Sequence, residues 1–306
     1  MVYSPQFKLH LPSPTHPEAP WRAEAILRYL QVGPLKDRLC LWEPEEAPFE
    51  VLSSVHDPHY LLRLEEACLQ GRSSLDGPDN EICFETYYVA RLATGAVLKA
   101  VDLVLSGQRF VFCPVRPPGH HAERDRAMGF CFLNNVAIGA RYWLNQGAER
   151  LLILDWDAHH GNGIQNAFFE DPAVLYVSLH EEPRHSFPGT GLPEEHGRGR
   201  GEGFNLNIPV PLGAGDGLYR QAFEEIVEPK VRSFAPQGIL LAAGFDAHEE
   251  DDMSFLNLTT QSFSLLSNYV RRWSEDWGIP VISVLEGGYA PKALLTSVEA
   301  HLLALA

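Results

Sequence analysis

Cysteine is scarce in this sequence. Its 306 residues include five cysteines, no two of which form a Cys-x-x-Cys pair: Cys40, Cys68, Cys83, Cys113 and Cys131. An odd number of scattered thiols argues against a disulfide framework and is typical of a reducing compartment. We therefore expect free thiols.

Long apolar runs are also missing. No stretch approaches the ~18 apolar residues that a membrane helix needs. The first 20 residues contain five prolines and lack the apolar core of a signal peptide. These absences predict a soluble cytoplasmic protein that does not bind membranes.

Basic residues are outnumbered, with 24 Lys and Arg against 40 Asp and Glu and a formal net charge of −16. Nucleic acids are held mainly by clustered Lys and Arg, so we expect no direct nucleic-acid binding. Neutral or cationic partners fit this charge better, and an oligomer is compatible with it. Because no internal repeat or low-complexity linker divides the chain, we predict a single domain over residues 1–306.

Short apolar runs recur along the chain and predict buried parallel strands at 109–113, 151–154, 174–179, 204–208, 239–243 and 281–285. Helical patterns lie before the first strand, at 86–106, and between later strands, at 134–146, 218–233 and 259–277. Alternating strands and helices indicate an α/β fold with a single open, mostly parallel sheet and helices on both faces. Two glycine-containing segments, 71–80 and 189–203, lack the context of a phosphate loop and predict surface loops.

Polar motifs follow four of the six predicted strands, at residues 116–121, 155–162, 244–248 and 286–289. In open α/β sheets ligands bind at the carboxyl ends of the strands. These motifs are far apart in the chain, but they should meet at one edge of the sheet. Their His, Asp and Tyr residues therefore predict a site.

Asp157 and His159 are two residues apart in a segment that leaves a strand, so their side chains should point the same way. With Asp246 from another strand end they form a three-ligand set that leaves one coordination position open. This is the catalytic kind of zinc site, in which a bound water has a pKa near ~7. Each residue alone is better explained as a helix cap or a core residue, whereas the whole constellation favours a metal.

Two adjacent histidines, His120 and His121, could supply a general base and an acid or electrostatic partner. Asp155 and Asn162 are the candidates for orienting them, because a carboxylate and a neutral amide would separate their pKa values. Tyr289, after two glycines, could donate to an oxyanion. Taken singly, the His pair could be a surface turn and the tyrosine a packed aromatic residue.

The sequence resembles zinc-dependent histone deacetylases, and within them the class II-like bacterial histone deacetylase-like amidohydrolase and acetylpolyamine amidohydrolase group. Asn162, where class I enzymes typically have Asp, places it nearer that branch. The matching segments span most of the chain: residues 16–18, 116–122, 129–135, 155–165, 187–190, 207–209, 244–248 and 285–289.

The resemblance implies one catalytic Zn²⁺ held by Asp157, His159 and Asp246. It implies His121 as general base, His120 as its electrostatic partner and eventual acid, and Tyr289 as the group that polarises an amide carbonyl. Arg22 resembles an arginine that lines the family's inner channel. The implied activity is hydrolysis of an acylated lysine peptide or an acetylated small amine.

Further positions are implied for substrate and for monovalent ions. The substrate-binding residues would be Gly129, Phe130, Phe187, Met253, Asp79 and Gly287. One structural K⁺ or Na⁺ would lie at Asp155, Asp157, His159, Ser178 and Leu179, and a second near Phe168, Asp171, Val174 and Phe204.

Some residues depart from related patterns. The family commonly has Asp-Pro-Leu where this chain has Asp251, Asp252 and Met253, so the rim of the tunnel is altered. Binuclear manganese ureohydrolases share the implied fold, but they carry carboxylates where this chain has Gly161 and His248. A ureohydrolase of that class and a non-catalytic acyl-lysine binding protein are the two alternatives to the implied deacylase function.

Overall fold

The computed structural model describes residues 1–306 and contains one six-stranded sheet in which every neighbouring pair is parallel. The predicted sheet is confirmed, and the strand ends differ from those predicted by at most two residues. The order is β1-β6-β5-β2-β3-β4. The strands are β1 Phe110–Cys113, β2 Leu151–Asp155, β3 Val174–Glu181, β4 Asn205–Val210, β5 Gly238–Ala243 and β6 Val281–Leu285.

Ten α-helices surround the sheet. They are α1 Trp21–Val32, α2 Phe49–Leu52, α3 Pro58–Leu69, α4 Thr86–Leu105, α5 Asn135–Asn145, α6 Asn162–Phe168, α7 Asp216–Ala222, α8 Glu228–Phe234, α9 Thr260–Trp277 and α10 Pro291–Leu305. The four predicted helical segments are present, although 218–233 is divided into α7, a π-helical stretch at Phe223–Val227, and α8. None of the helices combines the length and the apolar character that crossing a membrane requires.

Both faces of the sheet are covered because successive strand side chains point to opposite sides. In β2, Leu151 and Ile153 pack in the core with α4 and α5, whereas Leu152 and Leu154 pack in the core with α9 and α10. Every residue of β2 is buried. This two-sided burial explains why the strands read as continuous apolar runs rather than as alternating patterns.

The strand order changes direction beside β2. From β2 the chain proceeds to β3 and β4 on one side, then returns to place β5 on the other. Such a switch point opens a crevice at the carboxyl ends of the two central strands. The segments after β2 and β5 carry Asp157 and Asp246 into this crevice.

Candidate active site

Three side chains with metal-binding atoms meet in the crevice. The ligand atoms of Asp157, His159 and Asp246 all lie within 4.8 Å of one another. His159 Nδ1 is 3.3 Å from Asp157 Oδ1 and 3.1 Å from Asp246 Oδ2. Both carboxylates are buried. The set offers one nitrogen and carboxylate oxygens, which suit Zn²⁺.

The electrostatics of this cluster favour a cation. Burial and the nearby charge of Asp157 raise the pKa of Asp246 to about 7. Although burial opposes it, hydrogen bonds to Asp157 and Asp246 raise the pKa of His159 well above its usual value. The two facing carboxylates thus favour a positive charge between them, which a proton on His159 supplies. A divalent ion would neutralise the same carboxylates, so the residues fit a metal.

Two glycines leave room for the carboxylates. A Cβ atom at Gly287 would collide with Oδ2 of Asp246 and of Asp157, and one at Gly244 would collide with Asp157. The Gly287 N–H also donates to Asp157 Oδ2 at 2.8 Å. Gly287, predicted to bind substrate, therefore lies directly against the ligand cluster.

A backbone carbonyl orients the histidine of the cluster. His159 Nε2 lies 3.1 Å from the Met253 carbonyl oxygen. Because a carbonyl only accepts, Nε2 carries a hydrogen, and Nδ1 is the nitrogen that faces the two aspartates and would bind a metal once its own proton is displaced. Met253 is predicted to bind substrate, and its backbone carbonyl also orients a candidate metal ligand.

The two adjacent histidines have different partners. His120 Nδ1 is 3.2 Å from Asp155 Oδ2, and His121 Nδ1 is 2.8 Å from Asn162 Oδ1. Burial disfavours a charged His120, but Asp157 and Asp155 outweigh it and raise its pKa to about 10. Burial and the charges of His120 and His159 hold the pKa of His121 well below its usual value. The pair therefore combines one charged and one neutral imidazole.

Glu123 fixes the orientation of the neutral imidazole. The Asn162 Nδ2 group donates to Glu123 Oε1 at 2.5 Å, which leaves Asn162 Oδ1 as the acceptor facing His121. His121 Nδ1 must then carry the hydrogen, and its Nε2 is free to accept a proton. Sequence reasoning missed Glu123 because nothing in the motif shows which residue contacts Asn162.

A cavity of about 440 Å³ leads to these groups. The His121 and Phe187 rings are nearly perpendicular, with centroids 4.9 Å apart, and Phe130 packs similarly on Tyr289 at 5.9 Å. Aromatic walls of this kind suit an apolar chain. The lining residues are Asp79, His120, His121, Gly129, Phe130, Asp157, His159, Phe187, Met253 and Tyr289.

This arrangement has relatives among known proteins. Residues 16–305 match the family model described as the histone deacetylase domain. A probable deacetylase from Archaeoglobus fulgidus is 38% identical over 299 residues, covering 96% of this chain and 82% of that protein. The chain belongs to the histone deacetylase family. The resemblance stated from the motifs is confirmed, and the chain is a hydrolytic enzyme of the deacetylase class.

Two further similar proteins extend the comparison. A histone deacetylase-like amidohydrolase from Pseudomonas aeruginosa is 39% identical over 278 residues, covering 90% of this chain and 73% of that protein. The solved structure of acetylpolyamine aminohydrolase from Burkholderia pseudomallei superposes with a TM-score of 0.89 at 28% identity. The superposition covers 99% of this chain and 97% of the B. pseudomallei chain.

The rim of the deacetylase cavity is built on a tight turn. Gly129 and Phe130 both have positive φ angles, 53° and 67°, and the backbone of Met128 pairs with that of Cys131 across them. Such a conformation is unusual for a bulky residue. Asn80 Oδ1 supports it by accepting from the Phe130 N–H at 3.0 Å. Asp79 lies beside the same turn, with Oδ2 3.3 Å from the Gly129 nitrogen.

We expect Gly129→Ala to obstruct the cavity. The new Cβ would lie 2.5 Å from His121 Cδ2 and 2.8 Å from Phe187 Cε1. Relieving the overlap must displace His121 or Phe187, both of which line the cavity, and a transition-state loss of about 1.4 kcal/mol is tenfold, so we expect kcat/KM to fall about tenfold or more. Gly71→Ala is the control, because Gly71 also has a positive φ of 67° but no atom within 4 Å of its added Cβ. Equal kcat/KM values for the two variants would show that Gly129 is not needed for access.

The residues predicted to hold monovalent ions are divided between two regions. Ser178 and Leu179 lie in β3, next to the end of β2, and Ser178 Oγ is 2.7 Å from His180 Nδ1. Asp171 pairs with Arg141. Ion binding by either group stays a prediction of the family resemblance. The group around Ser178 and Leu179 also contains Asp155, Asp157 and His159, and the group around Asp171 also contains Phe168, Val174 and Phe204.

Proposed function

We propose that this chain is a zinc-dependent hydrolase that removes acetyl or other acyl groups from amines, either acyl-lysine in a peptide or an acetylated small amine. The observation that carries the proposal is the meeting of a three-residue ligand set, two histidines with different hydrogen-bond partners and Tyr289 at the end of one aromatic-walled cavity. The names of the relatives in A. fulgidus, P. aeruginosa and B. pseudomallei support the same chemistry.

His121 is the general base in this proposal. Its Nδ1 is bound by Asn162, its Nε2 is free, and it borders the cavity beside His159. It can therefore take a proton from the attacking water. His120, which is hydrogen-bonded to Asp155, stabilises in its protonated form the negative charge that develops, and gives a proton to the departing amine.

Tyr289 is the proposed donor to the carbonyl oxygen of the substrate. Its ring lies between Phe130 and the Arg22 guanidinium, whose Cζ is 4.8 Å from the ring centre. A fixed hydroxyl costs no reorganisation when charge develops. Zinc, held by Asp157, His159 and Asp246, would supply Lewis-acid polarisation of the carbonyl and acidify the water.

One metal fits this site better than two. A Cβ at Gly161 would collide with Asp155 Oδ2 and lie 2.6 Å from the Tyr176 hydroxyl, so no ligating side chain fits there. His248 is used elsewhere, with Nε2 3.2 Å from Thr260 Oγ1 and Nδ1 accepting from the Glu250 N–H. The proposal includes K⁺ or Na⁺ as structural ions, a single catalytic domain and a cytoplasmic location.

The proposed function predicts an activity that is lost when the metal is removed and that added Zn²⁺ restores. Chelated protein should not hydrolyse acetyl-lysine peptides or acetylpolyamines, and one equivalent of Zn²⁺ should restore turnover. The measurement is zinc titration with metal analysis and amine release. Restoration by two equivalents of Mn²⁺ with urea as product would support the ureohydrolase instead. Binding of acyl-lysine without amine release would indicate a non-catalytic binding protein.

A further inference from the structure

A buried aspartate lies next to the candidate metal site without belonging to the ligand set. Asp251 is 4% exposed, although it follows the exposed Glu249 and Glu250 and precedes the exposed Asp252. A carboxylate is buried only where it is well hydrogen-bonded. Its partners therefore indicate why this one member of the acidic run is turned inward.

Three backbone N–H groups bind the Asp251 carboxylate. Oδ2 accepts from Tyr289 at 2.6 Å and from Ala290 at 2.9 Å. Oδ1 accepts from Met253 at 3.1 Å. One side chain thus connects the segment after β5 to the segment after β6. Hydrogen bonds to a charged acceptor are stronger than those between neutral groups.

The segment that carries Tyr289 is anchored up to Gly288, whose carbonyl accepts from Arg22 Nε at 2.8 Å, and Asp251 supplies the anchor at Tyr289 itself. Two glycines, Gly287 and Gly288, precede the tyrosine, and Gly288 has a φ of 120°. Glycine leaves the backbone conformationally free, so it does not by itself fix the direction of the next side chain. Arg22 and Phe130 contact the ring. Asp251 holds the peptide from which that ring projects.

The same carboxylate reaches the ligand cluster through one further residue. Asp251 binds the Met253 N–H, and the Met253 carbonyl accepts from His159 Nε2 at 3.1 Å. The tyrosine backbone and the carbonyl that orients His159 therefore share one support. A displacement of Asp251 would change the distance between the Tyr289 hydroxyl and the metal ligands.

We propose that Asp251 is a positioning residue that holds the Tyr289 hydroxyl at its working distance from the metal ligands. The proposal rests on the proposed hydrolase function. It differs from a purely structural role, in which Asp251 would only stabilise the start of α10, where Ala290 is the residue before the first turn. A structural role predicts a lower melting temperature with unchanged kcat in the folded fraction.

A double-mutant cycle between Asp251→Asn and Tyr289→Phe tests this coupling. Asn has the same shape but loses the charge and one of the two acceptor oxygens, so it cannot keep all three backbone hydrogen bonds. We expect kcat of Asp251→Asn to fall about tenfold or more with KM within about threefold, because the hydroxyl acts mainly in the transition state. In the Tyr289→Phe background the same change should alter kcat by less than about twofold. Zinc content and melting temperature are measured for all four proteins.

Asp252→Asn is the matched control, since Asp252 is the exposed neighbour, and it should keep wild-type kcat. If Asp251→Asn does not fold, the cycle is run with Asp251→Glu, whose longer side chain displaces the same anchor. Unchanged kcat, or losses that multiply in the double variant, would overturn the positioning role. If the wild type is active, either of those results leaves the hydrolase proposal intact. A wild type that is loaded with zinc but inactive would refute both the positioning role and the hydrolase function.

Discussion

Asp246→Ala is expected to lose the metal and, with it, the hydrolysis of acylated amines. Asp246 supplies one of three ligand side chains, and its Oδ2 lies 3.1 Å from His159 Nδ1. Changes to groups that merely support metal ligands cost about 10- to 100-fold in affinity, so loss of a ligand should cost more than about 100-fold. Metal analysis after dialysis and amine release measure both effects.

Asp246 also has a structural contact that complicates the alanine variant. Its Oδ1 accepts from the Ala158 N–H at 2.9 Å, and an unsatisfied buried donor costs ~1–3 kcal/mol of folding free energy. Asp246→Asn separates the two effects, because the amide can still accept that hydrogen bond while it removes the charge. It should fold and still lose zinc. Full zinc occupancy in Asp246→Asn would remove Asp246 from the ligand set.

Asp216→Asn serves as the matched control. Asp216 is an aspartate that also accepts backbone and side-chain hydrogen bonds, from Thr259 and Ser262, but it lies at the start of α7. The substitution should change stability without changing the metal content. Zinc loss in both aspartate variants would point to general destabilisation rather than to ligand removal.

The sheet could be predicted from the sequence because burial on both faces leaves a strong local signal. Runs such as 151–154 and 239–243 are apolar throughout, and each ends in a polar motif. The meeting of Asp157 and Asp246 then follows from a rule about the carboxyl ends of strands, without any alignment. Short helices such as α2, with four residues, carry no such signal because they contain too few turns for a periodic pattern.

The supporting residues of the site could not be predicted in the same way. Glu123, Tyr176 and Asp251 act through tertiary contacts with groups distant in the chain: the Tyr176 hydroxyl donates to Asp155 Oδ2 at 3.0 Å, and Glu123 accepts from Asn162. In the sequence Asp251 is one acid in an acidic run. Only the packed backbone shows that it faces inward while Asp252 faces solvent.

The sequence alone also does not show which polar residue faces which of the two histidines. Asp155 and Asn162 belong to the same motif, and either side chain could face either imidazole. The structure pairs Asp155 with His120 and Asn162 with His121. Gly161 makes the first pairing possible, because a side chain there would occupy the space between Asp155 and His120.

Tyr289→Phe is expected to keep the metal and lose most of kcat. The ring is held by Arg22 and Phe130, contacts that phenylalanine can also make, so the cavity should keep its shape. Only the hydroxyl that donates to the developing oxyanion is lost. Removing one such donor costs about 10²- to 10³-fold in kcat. KM should change little, because the lost interaction strengthens only in the transition state.

Tyr219→Phe is the control for removing a buried phenol hydroxyl. Tyr219 lies in α7, is fully buried, and its hydroxyl has no hydrogen-bond partner. Its kcat and zinc content should equal those of the wild type. Wild-type turnover in Tyr289→Phe would remove the hydroxyl from the mechanism. Zinc loss there would instead mean that the tyrosine helps to assemble the ligand cluster, and residual turnover with full zinc would assign the remaining rate to His121 and the metal.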